Sequence, residues 1–239
     1  MHWFGLTDGE YWIQAGEHRL FEFANPAQAR SGGSRFCDYQ VVRLYEDVID
    51  LAPYALEPVP EELQQYIEID ESKPWKHSWS KWCEAIDEHD VSEATLDLLD
   101  NAGSWMGRRQ LDSLYLTPST NVIVWSDSES VHFQWDNRDK LLNGCQAWSA
   151  QHGSWQLPRA SFVDEVRNFH DRLMEQMAQR ISQVAAGALA TSVRVDLEGL
   201  RREQAARSQS IERNFDQPTT PTDWPVVLAA IRSLEARHG

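Results

Sequence analysis

No run of 18 apolar residues occurs anywhere in the 239-residue chain, and no basic leader precedes an apolar core at its start, Met1-His2-Trp3-Phe4. A membrane span needs about 20 such residues, so neither a transmembrane helix nor a secretory signal is expected, and the cytosol is the expected compartment. Cysteine is scarce too. Cys37, Cys83 and Cys145 are scattered and odd in number, which is no disulfide framework for a chain of this size, and reduced thiols are expected. Positive charge is short: 22 Lys and Arg stand against 37 Asp and Glu, a formal net of −15. That balance argues against a nucleic-acid binder, which must neutralise phosphates, and points instead to a basic protein as partner. Metal-ligand spacings are missing as well. There is no H-x-x-x-H or C-x-x-C, and His77, Cys83 and His89, each six apart, point in three directions around a helix. No G-x-S-x-G elbow is present, and Ser31-Gly32-Gly33-Ser34 lacks the Lys-Ser or Lys-Thr of a phosphate loop. No cofactor and no metal are expected from these counts, and an enzyme of metal-independent type is the least favoured reading.

Acid, in contrast, is concentrated. Residues 44–100 hold sixteen acidic side chains against Lys73, Lys76 and Lys81, whereas residues 159–239 hold eleven of each sign. Adjacent acids such as Asp87 and Glu88 point about 100° apart on a helix, so they read as a solvated face and not as a catalytic pair.

Tryptophan is the other surplus, eleven in all. Trp75, Trp79 and Trp82 fall at helical spacing, which is a core-facing stripe or, alternatively, an aromatic anchor flanked by Asp87 and Glu88. Trp135-Asp136-Asn137-Arg138 runs from a strand end into a turn, where the aspartate can bond its own backbone and Arg138 can fork onto a carboxylate. These eight residues, Trp75, Trp79, Trp82, Asp87, Glu88, Asp136, Asn137 and Arg138, form the candidate binding surface.

Periodicity supplies the elements. Trp3 to Leu6, Tyr11 to Ile13 and Leu20 to Phe23 read as a meander with turns at Asp8-Gly9 and Ala15-Gly16-Glu17, followed by a polar loop from Asn25 to Ser34. Val41, Leu44, Val48 and Leu51 share a helical face that Pro53 is expected to end; further helices start at Pro60, near Pro74 and at the Ser92 cap. Leu114 to Leu116, Val122 to Trp125 and Val131 to Trp135 read as strands, and Ala147 to Trp148 with Ser154 to Leu157 as a hairpin. From the Ser161 cap, Phe162, Val166, Phe169, Leu173, Met177, Ile181 and Val184 keep helical spacing. A polar, surface-laid helix over 195–213 and a last helix through Val226 to Leu234 complete the chain. The expected fold is α+β, with a mostly antiparallel sheet packed with helices over residues 1–190 and a helical extension over 191–239 packed on it.

Trp3-Phe4-Gly5-Leu6-Thr7-Asp8-Gly9, Tyr11-Trp12-Ile13, Trp135 to Arg138, Phe162 to Arg167 and Thr222-Asp223-Trp224 resemble a bacterial family known only as a domain of unknown function. The resemblance spans nearly the whole chain, with W-F-G-L-T-D-G-x-Y-W as its most specific block. It carries no activity, cofactor or catalytic residue across. Members often have an extra stretch before that block, which implies an upstream start or a missing first strand here. On charge and composition, the leading expectation is a non-catalytic, acidic, immunity-like module that engages a basic partner. The alternatives are a sensor or scaffold that binds a peptide or small ligand, favoured by a deep apolar pocket, and an enzyme, favoured by buried carboxylates of shifted pKa in a cleft.

Overall fold

The structure, a computed structural model, describes residues 2–29, 32–69, 75, 79–82, 92–188, 194–216 and 219–238. Strands and helices are segregated along the chain, as in an α+β fold, but the strands form small antiparallel sheets and not one large one. β1 (Asp8–Tyr11) pairs with β4 (Cys37–Gln40), β2 (Ile13–Ala15) with β3 (His18–Leu20), and β7 (Leu141–Leu142) with β8 (Cys145–Gln146). The one three-stranded sheet runs β5 (Val122–Ser126), β6 (Ser130–Asp136), β9 (His152–Pro158).

That sheet divides the interior. Along β5, Val122 and Val124 face one hydrophobic core while Ile123 and Trp125 face a second, so the strand is buried on both sides. An unbroken apolar run is what such a strand requires. The first core lies between α2 (Val41–Leu56), α5 (Arg159–Ala185) and the N-terminal strands; the second gathers α3 (Glu61–Ile67), α4 (Glu93–Gly107) and α7 (Trp224–His238). Within the C-terminal 191–239 stretch, Leu200 of α6 (Leu197–Arg207) and Ile211 of a π-helical turn (Ile211–Phe215) join the first core, while Val227, Ala230, Ile231 and Leu234 join the second.

Several local expectations are corrected. Asp8-Gly9 is no hairpin turn: both residues lie inside β1, where Gly9 opposes Tyr39 of a strand 30 positions on. Trp3 to Leu6 is a short 3-10 turn (Phe4–Leu6), and the Asn25 loop contains a one-turn helix, α1 (Asn25–Gln28). Pro53 sits inside α2, which continues to Leu56 because Ala52 and Ala55 hold that last turn in the core. Leu114 to Leu116 is a turn, since the Asp112 carboxylate accepts the Leu114 amide at 3.0 Å and leaves Leu114 84% exposed. The 147–157 hairpin does not form: β9 pairs with β6, and Trp148 bridges to Phe23 instead. α5 begins two residues before Ser161, fixed by Arg159, whose guanidinium donates to Ser126 Oγ at 2.7 Å and to the Asp127 carbonyl at 3.0 Å.

One ion pair ties both cores together. Arg109, whose side chain is fully buried, donates to the Glu57 carboxylate at 2.9 Å and to the Trp105 carbonyl at 2.8 Å, and its guanidinium lies over the rings of Trp105 and Trp224. Glu57 in turn accepts from the amide and hydroxyl of Thr222 at 2.6 and 2.5 Å. Removing one partner of a buried pair strands the other charge, at about 3–5 kcal/mol. Arg109→Ala is therefore expected to lower unfolding stability by about that amount in a urea titration. A loss below 1 kcal/mol would show that the pair does not hold the two cores.

Candidate functional site

The helical face Val41, Leu44, Val48 and Leu51 does not close against the face Phe162, Val166, Phe169 and Leu173. Between them, floored by Val124 and Phe133 of the sheet and by Leu111, lies a cavity of about 900 Å³. β1 and β2 form a third wall with Tyr11, Trp12 and Ile13, and Trp155 and Leu157 of β9 a fourth. Protein interiors are packed as densely as organic crystals, so an apolar space of this size is a feature to be explained. The charged and amide side chains that line it, Glu10, Gln14, Glu165, Arg172 and Gln176, are all exposed.

The walls are propped. Tyr45 of α2 reaches His170 of α5, Oη to Nδ1 at 2.6 Å, and Ser210 Oγ at 2.5 Å, so a buried polar strut fixes the spacing of the two helices. Burial lowers the His170 pKa, which favours the neutral ring and suits it to this contact. On the strand side the turn of the β2–β3 hairpin needs Gly16: its φ is +61°, and a Cβ there would stand 3.0 Å from the Trp155 ring.

A run of titratable groups lies behind the Tyr11 wall. Tyr11 neighbours Cys37 and Tyr115, and Tyr115 neighbours Asp47, yet Tyr11 Oη, Tyr115 Oη and Asp47 Oδ2 are each sealed from solvent without a well-formed hydrogen bond. Burial is the main cause that pushes the Asp47 carboxyl up to about 7, with repulsion from Asp112, Glu46 and Asp50 added. Both tyrosines and the Cys37 thiol are also held in their neutral forms by burial. Tyr39, stacked on Tyr115 with ring centroids 5.2 Å apart, borders this run. Asp47 also lines a second, polar pocket of about 370 Å³ on the opposite side of α2, with Arg43, Glu46, Asp50, Arg207 and Asn214.

The residues singled out in sequence lie elsewhere. Trp75 and Trp82 are buried in the second core and Trp79 is half-buried; the three rings pack tilted or edge to face, with centroids 5.2–6.0 Å apart. Trp75 donates to the Tyr66 carbonyl at 2.9 Å, and Trp79 lies so close over Gly103 that a Cβ there would clash with its ring. Asp87 and Glu88 lie outside the described residues. Asp136 takes both arms of Arg138, at 2.9 and 2.5 Å, which holds its carboxyl below the usual range. Asn137, buried, accepts the Asn121 amide at 2.7 Å and donates to the Ala150 carbonyl at 3.0 Å, tying three segments together. None of the described ones lines either cavity. Tyr11, Asp47, Tyr115, Glu165 and Arg172 escaped sequence reasoning; the two helical faces were visible, but not the space between them. Among the described residues no group of three or more His, Cys, Asp or Glu could hold a metal, Cys37 and Cys145 are free thiols, and no helix is long and apolar enough to cross a membrane.

The chain belongs to a family of unknown function, DUF5984, whose profile matches residues 1–230. No curated protein and no solved structure matches it.

Asp47 makes a pH-dependent contribution whose sign is fixed. Its folded-state pKa of about 7 exceeds the unfolded value of about 4, so the folded chain binds more protons between those limits. Stability from this group is therefore full below about pH 4 and is lost as pH rises through 7. Asp47→Asn removes the ionisable group, so its melting temperature relative to the unmodified protein should rise by a few degrees between pH 5 and pH 8. An equal difference at both values would place Asp47 in contact with water.

Proposed function

We propose that the protein is a non-catalytic binding protein that holds the apolar body of a ligand in the groove between α2, α5 and the three-stranded sheet. One observation carries this: a cavity of about 900 Å³ whose walls come from both helices and from the strands, and are mainly apolar. Ligand sites typically enclose 300–1,000 Å³ and pair hydrophobic walls with a few polar groups, here exposed ones. A polypeptide backbone would leave its N–H and C=O groups unpaired among these walls, at a cost of several kcal/mol, so the body that enters is hydrocarbon. A small-ligand sensor or scaffold fits this shape best.

A second reading, the acidic immunity-like module for a basic partner, has its own supporting observation. Glu93, Asp97 and Asp100 lie along one exposed stripe of α4, and among the described residues neither they nor Glu61 of α3 form an ion pair. This surface is separate from the groove, so a change in the groove should leave it unaffected.

The test is titration with N-phenyl-1-naphthylamine, a neutral apolar probe that brightens on leaving water. Trp12 and Trp155, both on the groove wall, should be quenched as the probe binds. Val48→Trp places an indole in open space and should lower probe affinity at least tenfold while the far-ultraviolet circular dichroism is unchanged. Undiminished binding by this variant would move the site out of the groove.

A further inference from the structure

We infer that the chain pairs with a second copy of itself along the free edge of β9, joining two three-stranded sheets across a two-fold axis. The inference is independent of the groove reading. It rests on the backbone of the sheet.

Register decides which way each residue of β9 points. Trp135 of β6 pairs with Gly153, Phe133 with Trp155 and Val131 with Leu157. Just beyond the two ends of this ladder, the Asn137 amide donates to the Gln151 carbonyl at 2.5 Å and the Arg159 amide to the Glu129 carbonyl at 3.1 Å. Hydrogen-bonded pairs alternate along an antiparallel ladder, so Gly153, Trp155 and Leu157 turn their N–H and C=O groups to β6. His152, Ser154 and Gln156 therefore turn theirs outward, where nothing among the described residues bonds them. All three residues are exposed.

The opposite edge of the same sheet is closed. There the Ser126 carbonyl accepts the Val59 amide at 2.8 Å, the Val122 carbonyl accepts the Leu111 amide at 2.9 Å, and the Val124 amide donates to the Arg109 carbonyl at 2.8 Å. A free edge is ordinarily guarded by lysine, a central proline, a bulge or a covering loop. β9 has no such guard: His152-Gly153-Ser154-Trp155-Gln156-Leu157-Pro158 carries no Lys, Arg, Asp or Glu in a chain that is 25% charged, its pairing with β6 is unbroken, and its proline is terminal.

The same neutrality selects the occupant. A basic segment finds no carboxylate on this strand to draw it, whereas β9 is its own complement. Set antiparallel about an axis at Trp155, Ser154 of one copy meets Gln156 of the other as a hydrogen-bonded pair. Trp155 then meets its equivalent at the closer, non-hydrogen-bonded position, where aromatic pairs add stability. Pro158, which has no N–H, falls at the end of the ladder opposite His152. No like charges are opposed. Because each such sheet has one open edge, a two-fold pairing uses up both and stops at two copies. So short a seam makes a weak dimer, and two chains of net −15 repel each other, so added salt should tighten it.

Sedimentation equilibrium of the full chain from low to high micromolar concentration, at low and high salt, tests this. A monomer–dimer equilibrium that tightens with salt is expected. Gln156→Pro removes one outward N–H without touching the β6 ladder, and should raise the dimer dissociation constant at least tenfold with unchanged far-ultraviolet circular dichroism. Gln156→Lys keeps the N–H but sets a charge on the seam in each copy, and should weaken the dimer likewise even where the proline variant fails to fold. A chain that sediments as a monomer throughout would overturn the inference. So would a dimer that Gln156→Lys leaves unweakened, or one that loosens with salt, which would mark a charge-driven contact elsewhere. These outcomes leave the groove reading intact, because its test is the probe titration above.

Discussion

A single buried guanidinium sets how the chain is assembled. Arg109 follows α4, Glu57 closes α2, and Thr222 precedes α7, so one charge and its hydrogen bonds join three distant segments. A buried arginine is tolerated only if its charge is met, which makes docking of the C-terminal helix a condition for burial of the pair. Trp105 and Trp224 complete the arrangement by packing edge to face at 5.5 Å beside the guanidinium. The second core is thereby closed over the outer face of β5, and the sheet is free to present its other face to the groove.

That other face explains why the groove persists. Hydrophobic burial would draw α2 and α5 together, at about 25 cal/mol for each Å² removed from water. Opposing it are Tyr45, His170 and Ser210, whose contacts have fixed length, and Arg180, which reaches from α5 to the Leu6 carbonyl. Closing the gap would break these buried bonds and leave Tyr45 and His170 unpaired, at 1–3 kcal/mol for each group. The spacing of the helices is thus set by polar contacts beside the groove and not by the apolar side chains within it.

How much of this can be read in the chain depends on the range of the interaction. The valine, isoleucine and tryptophan run of β5, the turn at Asp127 and the long stripe of α5 are local patterns, and each forms where its pattern predicts. In the β5–β6 turn, Asp127 accepts the amides of Glu129 and Ser130 at 2.8 and 2.7 Å, the bonding its residue type favours. Asp8-Gly9 carries an equally strong local signal, but pairing with residues 37–40 overrides it. Likewise the face of Val41 to Leu51 identifies which side of α2 is apolar; what it faces is settled by Tyr45 and His170, 125 positions apart, and no window of sequence contains both. Asp47 is hidden for the same reason, since its neighbour Tyr115 is 68 positions away.

Charge is redistributed by the same long-range contacts. The segment of net −13 looks uniformly acidic when counted along the chain, yet Glu46 is paired with Arg207 at 2.7 Å, Glu57 with Arg109, and Glu62 with Arg232 at 3.5 Å. Arg207 and Arg232, from the segment 159–239 that is neutral on paper, therefore offset acids of the first half in space. Among the described residues, Glu93, Asp97 and Asp100 of the α4 stripe remain exposed on one surface, and Asp47 lies inside. Arg207 shows the logic within one side chain. It neutralises Glu46 and Glu203 while its guanidinium lies over Trp3 and Phe4 at 4.5 and 4.7 Å, so the charge pairing also seats α6 on the N-terminal turn. Acidity that would repel itself along residues 44–100 is thus partly used to bind the C-terminal helices.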